Sequence, residues 1–279
     1  MPLAYYSRAA SQAFWAEHWA GEDVRALVDI ARASPLTRLI EAALPPAGRI
    51  LEAGCGLGQY VVLLRERGHA VAGADWSLDA LRRGRAGAPG TPLAAMDLGA
   101  LGIRSGALHA YVSLGVVEHD PGGPGAIVAE AARVLAPGGR LLLSVPYWNG
   151  MRRLGAPRLK RQARRLQASG GEFYQFAFSR REVWSFLEAH GFRVLAFHPY
   201  DPARIPRKFL EELMRRSRWR PRAPVRGAGL RERTPIDDRV AVGGPHREGI
   251  VRPALKRLAY SALSLRLFAH MILAVAVRA

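Results

Sequence analysis

The spacing of apolar positions divides the chain into stretches of different rhythm. Over residues 1–45, Tyr5, Phe14, Trp15, Trp19, Leu27 and Ile30 recur near a helical period. Pro35 opens a second segment that stops before Pro45 and Pro46, so the whole stretch reads as helices. From Gly48 the rhythm changes to short apolar runs alternating with amphipathic ones. Residues 49–53, 69–75, 91–97, 108–114, 140–146 and 192–200 read as strands. Between them, 60–68 (closed by Gly68), 77–87 (capped by Ser77), 126–135 (stopped before Pro137-Gly138-Gly139) and 181–190 read as helices. Ser179-Arg180-Arg181-Glu182 is a capping box for the last of these. A final run, 270–277, reads as a seventh strand. Near-continuous apolar strands that alternate with helices imply an α/β fold, a doubly wound parallel sheet covered on both faces.

Two stretches interrupt that alternation. Residues 148–171 carry seven basic residues and no acid, and leave the fifth strand at the edge where doubly wound sheets bind ligands. Residues 202–269 contain two basic amphipathic segments, 206–219 and 253–268, flanking a Pro-, Gly- and Arg-rich stretch at 221–249 that reads as mobile. The expected organisation is an N-terminal helical cap (1–47), a core (48–200), a basic helical insertion (201–269) and a last core strand (270–279).

Charge follows the same division. The 279 residues hold 41 Lys or Arg against 23 acids, a net of +18. Residues 1–150 balance 13 against 13, and 151–279 hold 28 against 10, so the whole excess lies in the second part. The single cysteine, Cys55, excludes an intrachain disulfide and a cysteine metal cluster, and no metal site is expected. The absence of a charged leader before an apolar run, and of any apolar run long enough to span a bilayer, leads to an expected cytoplasmic location.

The chemistry concentrates at the ends of the first three core strands. After residues 49–53, Glu52 is followed by Gly54, Gly56 and Gly58, then by a helix. Glycines there let the backbone turn sharply and approach a ligand beside the positive end of the helix. A dinucleotide fingerprint needs Gly or Ala three residues after its second glycine, and that position is Gln59. The loop therefore suits a ligand without a pyrophosphate. Asp75 ends the second strand, 21 residues after Gly54, where a carboxylate can accept from both ribose hydroxyls. Asp97, ending the third, can accept from an exocyclic amine such as adenine N6.

In order, the segments 51–60, 73–77, 96–101, 113–120 and 132–147 resemble the successive motifs of class I S-adenosylmethionine-dependent methyltransferases. They are most similar to the small-molecule group that includes ubiquinone and menaquinone biosynthesis enzymes. The resemblance covers about residues 48–200, with 270–277 similar to the closing strand. It implies a Rossmann-like sheet of seven strands in the order 3-2-1-4-5-7-6, the last antiparallel, and S-adenosylmethionine as cofactor. By position it implies that Glu52, Gly54, Cys55, Gly56, Leu57 and Gly58 surround the methionine part, and that Asp75 holds the ribose. Trp76 then flanks the adenine, Met96, Asp97 and Leu98 read its amine, and Leu114 lies beneath the cofactor.

On the acceptor side His119 is the candidate general base, with a hydrogen-bonded structural histidine as the alternative. Tyr5, Tyr6, Tyr147 and Tyr174 are candidate acceptor contacts. The expected partner is a small-molecule acceptor, anionic or lipid-linked, because the basic insert stands beside it. The stripes in 151–171 and 202–269 suit docking on the core or peripheral contact with an anionic membrane. Two rival functions are methylation of nucleic acid and a non-catalytic binding subunit. Against the first, residues 113–120 lack the Asn/Asp-Pro-Pro-aromatic loop of many base-modifying enzymes, and no second cysteine supports a covalent pyrimidine mechanism.

Overall fold

In a computed structural model, residues 2–202 and 260–279 are described. The chain begins with a strand, β1 (Leu3–Ser7), followed by helices α1 (Gln12–Ala20), α2 (Val24–Ala33) and α3 (Pro35–Ala43). The alternating core then runs β2 (Arg49–Ala53), α4 (Gln59–Glu66), β3 (Ala70–Asp75), α5 (Leu78–Gly87), β4 (Leu93–Ala95) and β5 (Leu108–Leu114). A 3-10 turn (Val117–His119) leads to α6 (Gly125–Val134) and β6 (Leu135–Pro146). Next come α7 (Gly150–Leu154), α8 (Ala156–Ala168), β7 (Glu172–Ala177), α9 (Arg180–Ala189) and β8 (Phe192–Tyr200). Helix α10 (Ala262–Phe268) and strand β9 (Met271–Arg278) close the described chain.

Seven strands form one sheet in the order β4-β3-β2-β5-β6-β9-β8. Counted along the core this is 3-2-1-4-5-7-6. Pairings from β4 through β6 are parallel, while β9 runs antiparallel to both β6 and β8. Strand β8 ends and β9 begins at the same edge of the sheet, where Tyr200 pairs with Met271, so β9 runs back antiparallel to its neighbours, with α10 just before it. Each sheet face has its own apolar core. One is built from Ile40, Leu63, Leu142 and Leu273 beneath α2, α3 and α4. The other is built from Leu141, Leu143, Leu187 and Ile272 beneath α6 and α9. Each such fully buried side chain contributes about 1.5–3 kcal/mol relative to exposure.

Caps bound the helices much as the polar residues predict. Ser77 accepts from the Ala80 amide, and Ser179 and Glu182 make both halves of the capping box. The departures lie at the edges. The first residues are not helical: β1 pairs antiparallel with β7, a strand that directly follows the basic segment 148–171, forming a separate two-stranded ribbon. The helix expected to stop at Pro137-Gly138-Gly139 ends at Val134, and β6 takes those residues into its start. The expected segment 206–219, the stretch 221–249 and the first part of 253–268 (253–259) lie outside the described residues, while α10 forms most of the rest of that last segment. Among the described residues no helix is long and apolar enough to cross a membrane.

Candidate active site

The carboxyl ends of β2, β3 and β4 converge on the glycine loop. Gly54 and Cys55 donate their amides to the Ala74 carbonyl at 2.8 and 3.1 Å, which ties the loop to the neighbouring strand. Gly54 has φ +79°, and a Cβ there would run into the Val116 side chain. Gly56 has φ +55°, and a Cβ would lie 2.6 Å from the Trp19 ring. Both positions therefore combine a left-handed backbone with close approach. The loop delivers the chain into α4, whose N-terminal amide groups face the same opening.

Asp75 is the hinge of this arrangement. One carboxylate oxygen accepts from the Gly56 amide at 2.8 Å and the other from Ser77 at 2.9 Å. Burial pushes its pKa up, and the amides of Ser77, Gly56 and Trp76 pull the other way. Glu52 is 2% exposed and accepts from the Val61 amide at 3.1 Å. Its pKa is raised well above the usual carboxylate range by burial, against the Val61 bond, with the Asp75 charge adding to the rise. Asp97 is exposed and accepts from the Gly99 amide at 2.8 Å. Burial, then the charges of Glu52 and Asp75, raise the Cys55 thiol well above its ordinary value, so it stays protonated. That suits a small buried residue in a tight turn.

A cavity of about 860 Å³ opens over these strand ends. Of the residues singled out from sequence, Glu52, Gly54, Cys55, Asp75, Trp76, Asp97, Leu98, Leu114 and His119 lie on its wall. Gly56, Leu57, Gly58 and Met96 do not: Leu57 is wholly buried in the core, and the two glycines shape the loop behind the wall.

The tyrosine expectations need correction, since none of the four lines the cavity. Tyr5 and Tyr6 sit on β1, with the Arg152 guanidinium 5.9 Å from the Tyr5 ring and Phe173 6.2 Å from Tyr6. Tyr147 is 5% exposed and lies under Arg180, because β6 pairs its backbone with His270 and Phe178. Tyr174 is buried one layer out, its ring 5.0 Å from that of His119. The wall instead uses Trp15 and Trp19 from α1, Phe173 from β7, and Gln59, Tyr60, Ser144, Tyr200 and Met271. The Ser144 and Tyr200 hydroxyls are 2.5 Å apart, and burial pushes the Tyr60 phenol up to about 12.

His119 is positioned by the 3-10 turn after β5. Its Nδ1 lies 2.8 Å from the Tyr174 carbonyl, which can only accept, so Nδ1 carries the hydrogen and Nε2 the lone pair. Nε2 is buried and has no hydrogen-bond partner among the described residues. The ring stands edge-to-face with Trp15 at 5.1 Å. Burial lowers its pKa to about 4, despite the Tyr174 bond, so the imidazole is neutral at pH 7. Arg152, expected near the acceptor, instead donates to the Tyr147 and His270 carbonyls at 2.6 and 3.2 Å and anchors α7. Among the described residues no group of His, Cys, Asp and Glu has metal-binding geometry.

The family model described as a methyltransferase domain matches residues 51–143. No curated protein matches the chain by sequence. Among solved structures the fold resembles geranyl diphosphate C-methyltransferase from Streptomyces coelicolor, with 17% identity and a TM-score of 0.54, covering 97% of this chain and 100% of that one. It also resembles an S-adenosylmethionine-dependent methyltransferase from Archaeoglobus fulgidus, with 16% identity and a TM-score of 0.55, covering 95% and 98%. A third is a methyltransferase of Haloferax volcanii solved with the Trm112 activator, with 16% identity and a TM-score of 0.56, covering 94% and 97%. At such identities the likeness establishes the fold. Strand order and the match over residues 51–143 agree: this part of the chain is similar to a methyltransferase domain and has the doubly wound fold of those structures.

Proposed function

We propose that the cavity holds S-adenosylmethionine along the glycine loop and a small-molecule acceptor on the Trp15–His119 side, and that the chain catalyses methyl transfer between them. The observation that carries this reading is the row of carboxylates, Glu52, Asp75 and Asp97, ending three adjacent strands around one glycine loop on one cavity wall. The donor set fits the cofactor. Glu52 and Asp75 line the same wall as Gly54 and put acids near a cationic sulfonium. The Asp75 carboxylate accepts from the Gly56 and Ser77 amides, with the Trp76 amide also acting on it, and its remaining lone-pair capacity can serve the ribose. Asp97 serves an exocyclic amine beside the Leu98 backbone, with Trp76 at the adenine edge and Leu114 beneath.

When bound, S-adenosylmethionine supplies a sulfonium methyl that is electrophilic without further activation. The protein's share is alignment of the acceptor and exclusion of water, which account for most of the acceleration in such transfers. Trp15, Trp19 and Phe173 supply the apolar walls. His119 is neutral, with its Nε2 lone pair free to take a proton from an O–H or N–H acceptor during transfer. The charged residues on the described wall are acidic (Glu52, Asp75, Asp97, Asp120 and Glu172), and α7 and α8 bring no Lys or Arg to it, so the lining lends no support to the anionic or lipid-linked acceptor expected from sequence.

The test is incubation of the full chain with methyl-labelled S-adenosylmethionine and a host-cell extract. Label should enter an extractable small product, and Asp75→Ala should lose it. Label found only in RNA or protein would overturn the small-molecule acceptor.

A further inference from the structure

We infer that helix α8, with the exposed end of α7, is a docking surface for an anionic lipid bilayer. Six arginines elsewhere on the described fold pair with carboxylates. Arg8 pairs with Glu17 at 2.7 Å, Arg32 with Glu66 at 2.6 Å, Arg133 with Glu130 at 2.6 Å, and Arg67 with Glu41. Helix α8 gathers four arginines and no acid. Arg158, Arg161, Arg164 and Arg165 are all exposed, and none forms an ion pair with a described carboxylate. Lys160 adds a fifth positive charge, its ammonium 5.7 Å from the Trp148 ring centre.

The helix is sided. At 100° per residue, the half-buried Leu159, Ala163 and Leu166 share the face turned to the fold, and Arg161, Arg164 and Arg165 share the opposite one. Helix α8 packs against β1, so its inner face has its partner already and the outer face is what it offers. The neighbouring helices carry exposed apolar side chains. Leu154, at the end of α7 where it joins α8, is 79% exposed, and Leu263, on α10 packed against α7, is 68% exposed. A basic helix face with protruding leucines suits a bilayer, where charge meets anionic headgroups and leucines enter the acyl boundary. A nucleic acid would use the charge and leave the leucines in water.

The placement also has a consequence for the cavity. Strand β1, beneath α8, leads into Ala9, Ala10 and Ser11, and β7, which follows α8, carries Glu172 and Phe173; all five line the wall. Docking through α8 would therefore set that side of the cavity close to the bilayer. This inference concerns binding to a surface and stands apart from the transfer reaction.

The experiment is sedimentation of the full chain with vesicles of equal phosphatidylcholine and phosphatidylglycerol, against vesicles of phosphatidylcholine alone. Wild type should sediment with the anionic vesicles only, less as salt rises. The triple variant Arg161→Glu, Arg164→Glu, Arg165→Glu should lose at least about a hundredfold in partitioning, at about fivefold for each charge removed. Its melting temperature should stay near that of wild type, since the three side chains are exposed. Leu154→Ser, which removes the apolar side chain and adds no charge, should weaken binding with no change in its salt dependence. Equal sedimentation of wild type and the triple variant would overturn the assignment, placing the contact elsewhere in the chain. So would equal binding to uncharged vesicles, or binding to RNA without binding to vesicles.

Discussion

Replacing His119 by Asn tests how the site is built, independently of any ligand. In the fold its Nδ1–H donates to Tyr174 and Nε2 is buried without a partner, so protonating Nε2 would bury an unpaired charge. Burial accordingly lowers the pKa from 6.5 to about 4. The unfolded imidazole takes its proton near pH 6.5 and the folded one only near 4, so between these values the unfolded state binds more protons. Stability from this group is thus intact at pH 7 and falls as pH drops towards 4. The linkage integral over that interval is about 3 kcal/mol at pH 4. Asn keeps a side-chain amide near the Nδ1 position, able to donate to Tyr174, but has no basic nitrogen. Urea titrations at pH 7, 5.5 and 4 should show wild type losing about 3 kcal/mol more than His119→Asn over that range. Parallel losses in the two proteins would refute the burial of a neutral, unpartnered Nε2.

Gly54→Ala should cost about 2–4 kcal/mol, combining a left-handed alanine with overlap on Val116, read as a fall in melting temperature. Adding Val116→Ala should recover the overlap part and leave the backbone part. Ser144→Ala and Tyr200→Phe each leave the other hydroxyl buried without its 2.5 Å partner, so a double-mutant cycle should return a coupling of about 0.5–1.5 kcal/mol. Zero coupling there would mean that the two hydroxyls do not bond.

The alternating core was readable because parallel strands buried on both faces leave near-continuous apolar runs, and the strand over Leu108–Leu114 matches the expected bounds. Strand order was readable only through the resemblance of the motifs. The ribbon of β1 and β7 was not readable. Its strands are short, and their aromatic residues fit helical spacing as well as a strand. Their pairing joins positions such as Leu3 and Ala177, too far apart in sequence for any local signal.

The carboxylates were legible because polar residues at the ends of apolar strands stand out. The other side of the cavity was not, because it is lined by residues that look like core. Trp15 and Trp19 sit on a helix, and Tyr200 and Met271 end the two antiparallel pairing partners β8 and β9. Tyr147 misled for the opposite reason. It stands at a strand end, but its backbone pairing to His270 and Phe178 turns the ring under Arg180.

The central claim is that this cavity is a site for S-adenosylmethionine organised by Asp75. Calorimetric titration of wild type and Asp75→Ala with S-adenosylhomocysteine tests it most directly. Wild type should bind one equivalent, with a matching rise in melting temperature. Asp75→Ala should bind at least about a hundredfold more weakly, since two charge-assisted hydrogen bonds to the ribose are lost. No heat and no melting shift with wild type, or equal affinity in the two proteins, would contradict the account.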